Sequence, residues 1–435
     1  MSTFGVCRGT VCVGSERETL LKLKHHLIDP SNRLSSWNAS LNPNCCHWYG
    51  VLCNNVTSHV AELHLNTPLP LYDEILGPIP DGLRNLTLLE NLDLNENSFS
   101  HIPDWFYSSF PNLKILRLSG NNFHGTISDA LRNVTSLVIL DLSSNKFEGP
   151  IPTSFGYLCN LRASFLNFSH NHIHGELGKN PISIPVVDLS ANDLHGKFPS
   201  LSNDVGFLDL SCNSLSKSMD DFLCKNQEEP MKLEFLNLAS NNLSGEIPDC
   251  WGIWPYLMDV NLQNNNFVGN IPQSIGSLTE LTSLRIRKNL LSGTFPTILK
   301  KNNKLVLLDL GENDFSGTIP TWVGESFLHM KVFILRSNRF FGQIPNKICD
   351  MSLLQVLDLA QNNLTGNIPT CFNRLKAMTQ MNRSTTPLIY CRATNYTFDY
   401  SDYTVVSVLL WLKGRGDECL LSIEVLAASS NDIRR

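Results

Sequence analysis

Leu305-Val306-Leu307-Leu308-Asp309-Leu310-Gly311-Glu312-Asn313-Asp314-Phe315-Ser316-Gly317-Thr318-Ile319-Pro320 decides how the whole chain is read. Leu305, Leu308 and Leu310 stand at the spacing of a short strand that sends alternate side chains into a core. Asn313, Phe315, Gly317 and the Ile319-Pro320 pair follow at fixed offsets. The phrase recurs: its asparagine stands at 97, 121, 145, 171, 192, 213, 241, 265, 289, 313, 338 and 362, with gaps of 24, 24, 26, 21, 21, 28, 24, 24, 24, 25 and 24 residues. A further, imperfect copy starts at Leu63 and Leu65, with Pro68 in the place of the asparagine. Twelve copies in register exclude chance.

L-x-x-L-x-L-x-x-N at this period is the leucine-rich-repeat signature. One copy cannot bury its own leucines, whereas stacked copies share a continuous core. The asparagine sits where the chain leaves the strand, and its amide is expected to satisfy backbone groups that have left the sheet ladder. The fold expected is α/β: a leucine-rich-repeat solenoid with a curved parallel β-sheet, about 13 repeats of ~24 residues, and an N-terminal helical cysteine cap. Between strands G-x-I-P recurs at Gly77, Gly149, Gly245, Gly269, Gly317, Gly342 and Gly366. Glycine permits the bend there and proline forbids continued pairing. The short spacing around Asn192 and Asn213 predicts a change of curvature.

Composition narrows the function. A net charge of −6 and a pI near 6.1 disfavour a protein that tracks nucleic-acid phosphates. No uninterrupted apolar run reaches the ~18 residues that span a membrane; the longest lies around Val405–Leu412. The start, Met1-Ser-Thr-Phe-Gly-Val-Cys7, lacks an export signal, yet nine N-x-S/T sequons and thirteen cysteines imply an oxidising, exported setting. A missing leader or misassigned start is expected from that conflict. The candidate glycosylation sites are Asn38, Asn55, Asn85, Asn133, Asn167, Asn242, Asn363, Asn382 and Asn395.

In chain order, residues 1–59 form the cap. Ser15 and Glu18 have capping-box spacing, Leu20, Leu23, Leu27 and Ile28 have helical spacing, and Asp29-Pro30 stops the helix. Cys45, Cys46, His47 and Cys53 then cluster; disulfides fit the spacing better than zinc. Residues 60–373 are the repeats, 374–413 a non-repeat island carrying Tyr390, Tyr396, Tyr400 and Tyr403, and 414–435 a divergent, disordered tail. Val405–Trp411 resembles a re-entering strand. Cys224 and Cys349 each lie eleven residues after their asparagines, and Cys250 and Cys371 nine after theirs. Equivalent positions of adjacent coils are close, which predicts the bridges Cys224–Cys250 and Cys349–Cys371. Cys7, Cys159, Cys212, Cys391 and Cys419 have no partner from spacing.

The capped helix, the Cys45-Cys46-x-Trp48-x-Gly50-Val51-x-Cys53 cluster, the repeat form with G-x-I-P and the island together resemble the extracellular part of plant leucine-rich-repeat receptor-like proteins. Asp29–Trp37 and Val406–Gly414 are especially similar. The resemblance covers roughly residues 12–417. It implies a cell-surface protein at the plasma membrane, of the disease-resistance type, that recognises peptide, glycan or microbial protein ligands in defence or development. Such proteins signal through partner receptor kinases, and have neither a kinase nor an enzymatic activity of their own. Carried over, the cap cysteines imply Cys12–Cys45 and Cys46–Cys53. Relatives continue with further repeats, a cysteine-bearing lid, a transmembrane helix and a short tail. The chain therefore reads as truncated or frameshifted near residue 418, apoplastic if exported, and able at most to bind. The alternatives are a secreted inhibitor of cell-wall-degrading enzymes, similar to polygalacturonase inhibitors, and a non-functional truncated product.

Counted back from each asparagine, the slots at −6, −4, −2 and −1 face away from the core. In the later copies they hold Asp259, Asn261, Gln263 and Asn264, then Arg285, Arg287 and Lys288, then Asp309 and Glu312, then Arg336 and Ser337. Asp259, Gln263, Asn264, Arg285, Arg287, Lys288, Glu312 and Arg336 are the candidate ligand-binding residues, because this basic run interrupts a serine and aspartate default. The competing reading is a polar face whose charges pair with one another. Arg415-Gly416-Asp417 spells an adhesion tripeptide, too short to weigh alone. No H-E-x-x-H, G-x-S-x-G or phosphate-binding loop occurs, and no cofactor or metal site is expected.

Overall fold

A strand of three residues buries one side chain and turns two the other way. In Ile139-Leu140-Asp141 the middle leucine is 1% exposed, while its neighbours reach the opposite face. The computed structural model describes residues 11–67, 74–152, 165–177, 181–224 and 230–379, and beyond them the segments Leu410–Leu412, Arg415–Asp417, Leu426–Ala427 and Asp432–Arg434. The chain divides into two compact units, Met1–Ser216 and Lys217–Arg435. Each is a leucine-rich-repeat solenoid.

In the first unit, Val60–His64 begins a run of parallel strands, one per coil: Asn91–Asp93, Ile115–Arg117, Ile139–Asp141, Phe165–Asn167, Val186–Asp188 and Phe207–Asp209. Strand Val51–Cys53 closes the first edge antiparallel, Val51 opposite Leu63, so the sheet does not begin on an unpaired ladder. In the second unit Phe235–Asn237, Asp259–Asn261, Ser283–Arg285, Leu307–Asp309, Val332–Ile334 and Val356–Asp358 stack likewise. Each coil after the first few adds a second short strand past its asparagine, such as Lys146–Gly149 or Asp314–Gly317. At Gly149, with φ +79°, a Cβ would lie 2.7 Å from the Thr126 methyl carbon, which is why this bend takes glycine.

The asparagine ladder does what its position requires. Asn145 Nδ2 donates to the carbonyls of Leu142, Ser143 and, one coil back, Leu118, at 3.2, 3.0 and 2.9 Å. Its Oδ1 accepts from Phe123 N at 3.0 Å. The same four-way bond recurs at Asn121 and Asn313. One amide thus satisfies three acceptors and a donor that the ladder has abandoned. Two residues on, the phenylalanines stack: Phe99, Phe123 and Phe147 lie with ring centroids 6.3 and 6.1 Å apart.

The cap differs from its sequence reading at the helix start. The helix is Gly14–His26, begins after Val13 and has no side-chain cap, so Ser15 lies inside it. Glu16 is pulled instead toward the first coil, where Oε2 accepts from Val60 N at 2.8 Å and Oε1 lies 3.0 Å from His59 Nδ1. The helix stops at Leu27, before Asp29-Pro30, and the Asp29 carboxylate receives the backbone N–H groups of Arg33 and Leu34. Leu20, Leu23 and Leu27 are buried, the last two against Leu63, Leu83 and Phe99 of the first coils.

The end of the chain also differs. Leu410–Leu412 pairs antiparallel with Arg415–Asp417 as a hairpin and does not re-enter the repeat sheet. Re-entry comes later: Leu426–Ala427 pairs in parallel with Leu357–Asp358, and Asp432–Arg434 with Thr365–Asn367. These segments fall where a disordered tail was expected. The sequence behind them, Ile423-Glu-Val-Leu-Ala-Ala-Ser-Ser-Asn431-Asp-Ile433, is one more copy of the repeat. Alanines at 427 and 428, where half of the copies carry aspartate and most carry leucine, disguise it.

Candidate functional site on the outward strand face

The first and third residues of each strand lie on the face opposite the core. In the second unit this brings most of the predicted residues together, but against each other. Arg285 Nη2 lies 2.7 Å from Asp259 Oδ1, and both side chains are withdrawn from solvent, at 4% and 7% exposure. Arg287 Nε lies 3.1 Å from Glu312 Oε1. Arg336 Nε lies 2.7 Å from Asp358 Oδ2, on the next coil. Gln263 is half-buried; Asn264 and Lys288 are exposed, both in left-handed backbone at φ 54° and 55°. Beside these pairs Leu307, Val332, Ile334 and Val356 form a buried apolar cluster. A buried ion pair holds geometry more than it stabilises, and breaking one partner strands the other. The arginines are therefore matched charge for charge within the fold, while Lys288 stands exposed beside them.

Buried and half-buried carboxylates run through the same rows. Asp309 Oδ1 accepts from Gly311 N at 2.9 Å; burial pushes its pKa up to about 6, against the pull of the Arg287 charge. In the first unit burial raises Asp93 and Asp141, the latter against bonds from Ser143 and the Arg117 charge. Asp188 goes furthest, pushed up to about 7 by burial and then by the neighbouring Asp209 charge. Asp188 and Asp209 are register partners on adjacent strands. Each holds its own turn: Ser190 N and Oγ donate to Asp188 Oδ1 at 2.9 and 2.7 Å, and Ser211 N and Oγ to Asp209 Oδ1 at 2.9 and 2.6 Å.

Reading only the later copies for charge misses the first unit. The −6 slots there hold Ile115, Ile139, Phe165, Val186 and Phe207, and the counting rule that selected Asp259 also finds them. They are register partners across five successive strands.

The covalent frame is direct. Cys12 bridges Cys45, Cys46 bridges Cys53, Cys224 bridges Cys250 and Cys349 bridges Cys371, with Cα separations of 5.3, 5.4, 5.5 and 5.9 Å. Cys45, Cys46 and Cys53 are thereby taken from any zinc site. Cys212 is free and exposed, and Cys7, Cys159, Cys391 and Cys419 lie outside the described residues. Of the sequons, Asn55, Asn85, Asn133, Asn242 and Asn363 are exposed, Asn38 and Asn167 half-buried, and Asn382 and Asn395 outside the described residues. Among the described residues no helix is long and apolar enough to cross a membrane.

The family model for a leucine-rich-repeat N-terminal domain matches residues 13–54, and the leucine-rich-repeat model matches 88–109, 112–134, 136–158, 232–253, 256–278 and 353–375. The chain is 33% identical over 272 residues to Receptor-like protein EIX1 of Solanum lycopersicum, a match spanning 57% of this chain and 26% of that protein. Its structure is similar to that of PEPR1 in the PEPR1–AtPEP1 crystal structure, with a TM-score of 0.65 and 28% identity over 84% of this chain and 54% of that one. It is similar as well to the plant peptide hormone receptor RGFR1 in complex with RGF2, with a TM-score of 0.63 and 28% identity over 77% of this chain and 51% of that one. In sequence, then, the chain resembles plant leucine-rich-repeat receptor-like proteins, and in structure plant receptor ectodomains. It spans about a quarter of EIX1 and about half of the PEPR1 chain.

Proposed function

We propose that this leucine-rich-repeat chain is the extracellular ligand-recognition part of a plant receptor-like protein, acting in defence or developmental signalling through partner receptor kinases. One observation carries the reading: the core rows repeat throughout, whereas on the outward rows only the turn-holding aspartate recurs. Leu116, Leu140, Leu166, Val187 and Leu208 are interchangeable apolar fillers, whereas the residues beside them change in charge and shape from coil to coil. A frame that fixes its interior and leaves one face free suits recognition, because that face varies without disturbing the fold. The likeness to RGFR1, a plant peptide hormone receptor solved in complex with RGF2, supports a peptide as ligand. Four disulfides and the exposed sequons support an exported protein.

Binding rather than catalysis is the role this geometry suits. The carboxylates of the outward rows recur with the coil and hold the turn two residues on, which is an architectural task. The test is to secrete the chain and screen synthetic peptides and defined microbial proteins against it by interferometry. Variants at exposed outward slots, such as Lys288→Glu and Asn264→Lys, should weaken whichever ligand is found without lowering the melting temperature. A ligand whose affinity none of the outward rows alters removes this face as the recognition surface, and with it the reading.

A further inference from the structure

His172-Ile173-His174 and Asp193-Leu194-His195 stand one coil apart, at the same offsets from Asn171 and Asn192. Both lie on second strands of their coils, His172–Glu176 and Asp193–Gly196, which pair in parallel. Ile173 and Leu194 are each 1% exposed, so alternation sends the residues on either side of them outward. His174 is the register partner of Asp193, and Glu176 of His195. Glu176 leans over Gly196, where a Cβ would meet its Cγ at 2.8 Å. One patch thus has imidazoles on one diagonal and carboxylates on the other. All four side chains are exposed, and none has a hydrogen-bond or ion-pair partner among the described residues. Elsewhere in this unit histidine and carboxylate do pair, His59 with Glu16 at 3.0 Å and His64 with Glu62 at 2.9 Å.

We propose that His174, Glu176, Asp193 and His195 bind one Zn²⁺ ion, which ties the two coils together through their second strands. The proposal stands independently of the recognition reading. Strands ~4.8 Å apart, with like-facing residues about 6.6 Å apart, put the four Cα atoms at the corners of a small rectangle. An ion above its centre lies about 4 Å to the side of each Cα, within reach of side chains that end in Zn–N and Zn–O bonds of ~2.0–2.2 Å. Two nitrogens and two oxygens suit zinc, whose filled d shell imposes no geometry, whereas calcium and magnesium take oxygen ligands. Among the described residues no three such side chains already meet at one point. Exposed side chains without partners turn between staggered rotamers, so the ion gathers its ligands. The entropy lost in gathering them sets the expected affinity in the micromolar range.

The coil before offers a rival set. Glu148, on strand Lys146–Gly149, is the register partner of His172 and is exposed as well. With His172 and His174 it makes three ligands, whereas the chosen patch makes four, the number that closes a structural zinc site. No sequon begins on the strands His124–Thr126, Lys146–Gly149, His172–Glu176 or Asp193–Gly196, so no glycan attached there covers the patch. None of the four disulfides lies on these coils either, and the ion would tie what those bridges leave untied.

The test uses the full secreted chain without a histidine tag, stripped of metal by a chelator and titrated with zinc chloride in a calorimeter. One ion per chain should bind in the micromolar range, and Ca²⁺ or Mg²⁺ in millimolar excess should not compete. His174→Ala with His195→Ala should weaken binding about tenfold or more, and so should Asp193→Asn, whereas His124→Ala should leave it unchanged. All of these side chains are exposed, so every variant should keep the wild-type melting transition without zinc. With zinc, only chains that retain the four ligands should melt higher. X-ray absorption at the zinc edge should show nitrogen and oxygen at ~2.0–2.2 Å and no sulfur at ~2.3 Å, which separates this site from one built on the free Cys212. No binding below about 100 μM, a sulfur neighbour, an ion shared between two chains, or a loss caused by Glu148→Gln in place of Asp193→Asn would each overturn the proposal.

Discussion

Replacing Asp188 by asparagine should stabilise the protein at neutral pH and do little in acid. Burial and the Asp209 charge push the Asp188 pKa up to about 7, from the unfolded-chain value of 3.8. An acid raised on folding contributes stability that is fully present below its unfolded value and is lost as pH rises through its folded value. The window here therefore opens near pH 4 and closes near pH 7. Three units at 1.36 kcal/mol each set a ceiling of about 4 kcal/mol. Asp188 keeps partial contact with water and shares its titration with Asp209, which brings the expected gain to roughly 1–3 kcal/mol. The carboxamide removes the charge and can keep both bonds from Ser190; Asn167 already holds the same post one strand earlier, with the same two bonds from Ser169. Urea denaturation of the wild type and Asp188→Asn at pH 4.5, 6 and 8 measures the difference. The variant's advantage should grow with pH and level off above about 7. An advantage independent of pH, or a variant less stable at pH 8, would refute the reasoning.

The other expectations are structural. Asn145→Ala leaves the carbonyls of Leu118, Leu142 and Ser143 and the N–H of Phe123 without their amide partner; a loss of about 1–3 kcal/mol or more should appear in denaturation. Hydrogen exchange should quicken at Phe123 and Lys146 before distant coils. Gly324→Ala would place a methyl group 1.6 Å from the Lys347 carbonyl oxygen, between helix Trp322–Ser326 and the turn Asn346–Asp350. Backbone must move there, and the cost should reach about 3 kcal/mol, or secretion should fail outright. Glycopeptide mapping of the secreted chain should find Asn55, Asn85, Asn133, Asn242 and Asn363 occupied and Asn167 bare, since the first five are exposed and the last is held by Ser169.

Much of this was written in the sequence, because a repeat multiplies its evidence. A single Asn313 says little; twelve at a nearly constant period locate the strands that precede them, and the offsets of Cys224 and Cys250 from their asparagines reach a bridge between coils. What the period does not govern was harder to read. Ser15 and Glu18 looked like a local cap, whereas the carboxylate that ties the helix down is Glu16, whose partners, Val60 and His59, come from the first coil. The copy ending at Asn431 was hidden by its alanines and by the island before it. The basic run at Arg285 and Arg287 was visible as composition. The pairing of its arginines stood there only as the competing reading, because Asp259 and Glu312 pair with them across strands, and sequence distance does not show which diagonal closes.

Asp188 also separates the two causes of its own raised pKa. If it served only to hold its turn, asparagine would serve as well, as Asn167 does next door with the same two bonds from Ser169. The Asp209 charge adds to burial, so Asp209→Asn should lower the Asp188 pKa and shrink the pH-dependent gain of Asp188→Asn. Urea denaturation of the two single variants and the double variant at pH 8 measures that coupling. Gains that simply add would show that burial alone raises Asp188, because only interacting groups depart from additivity.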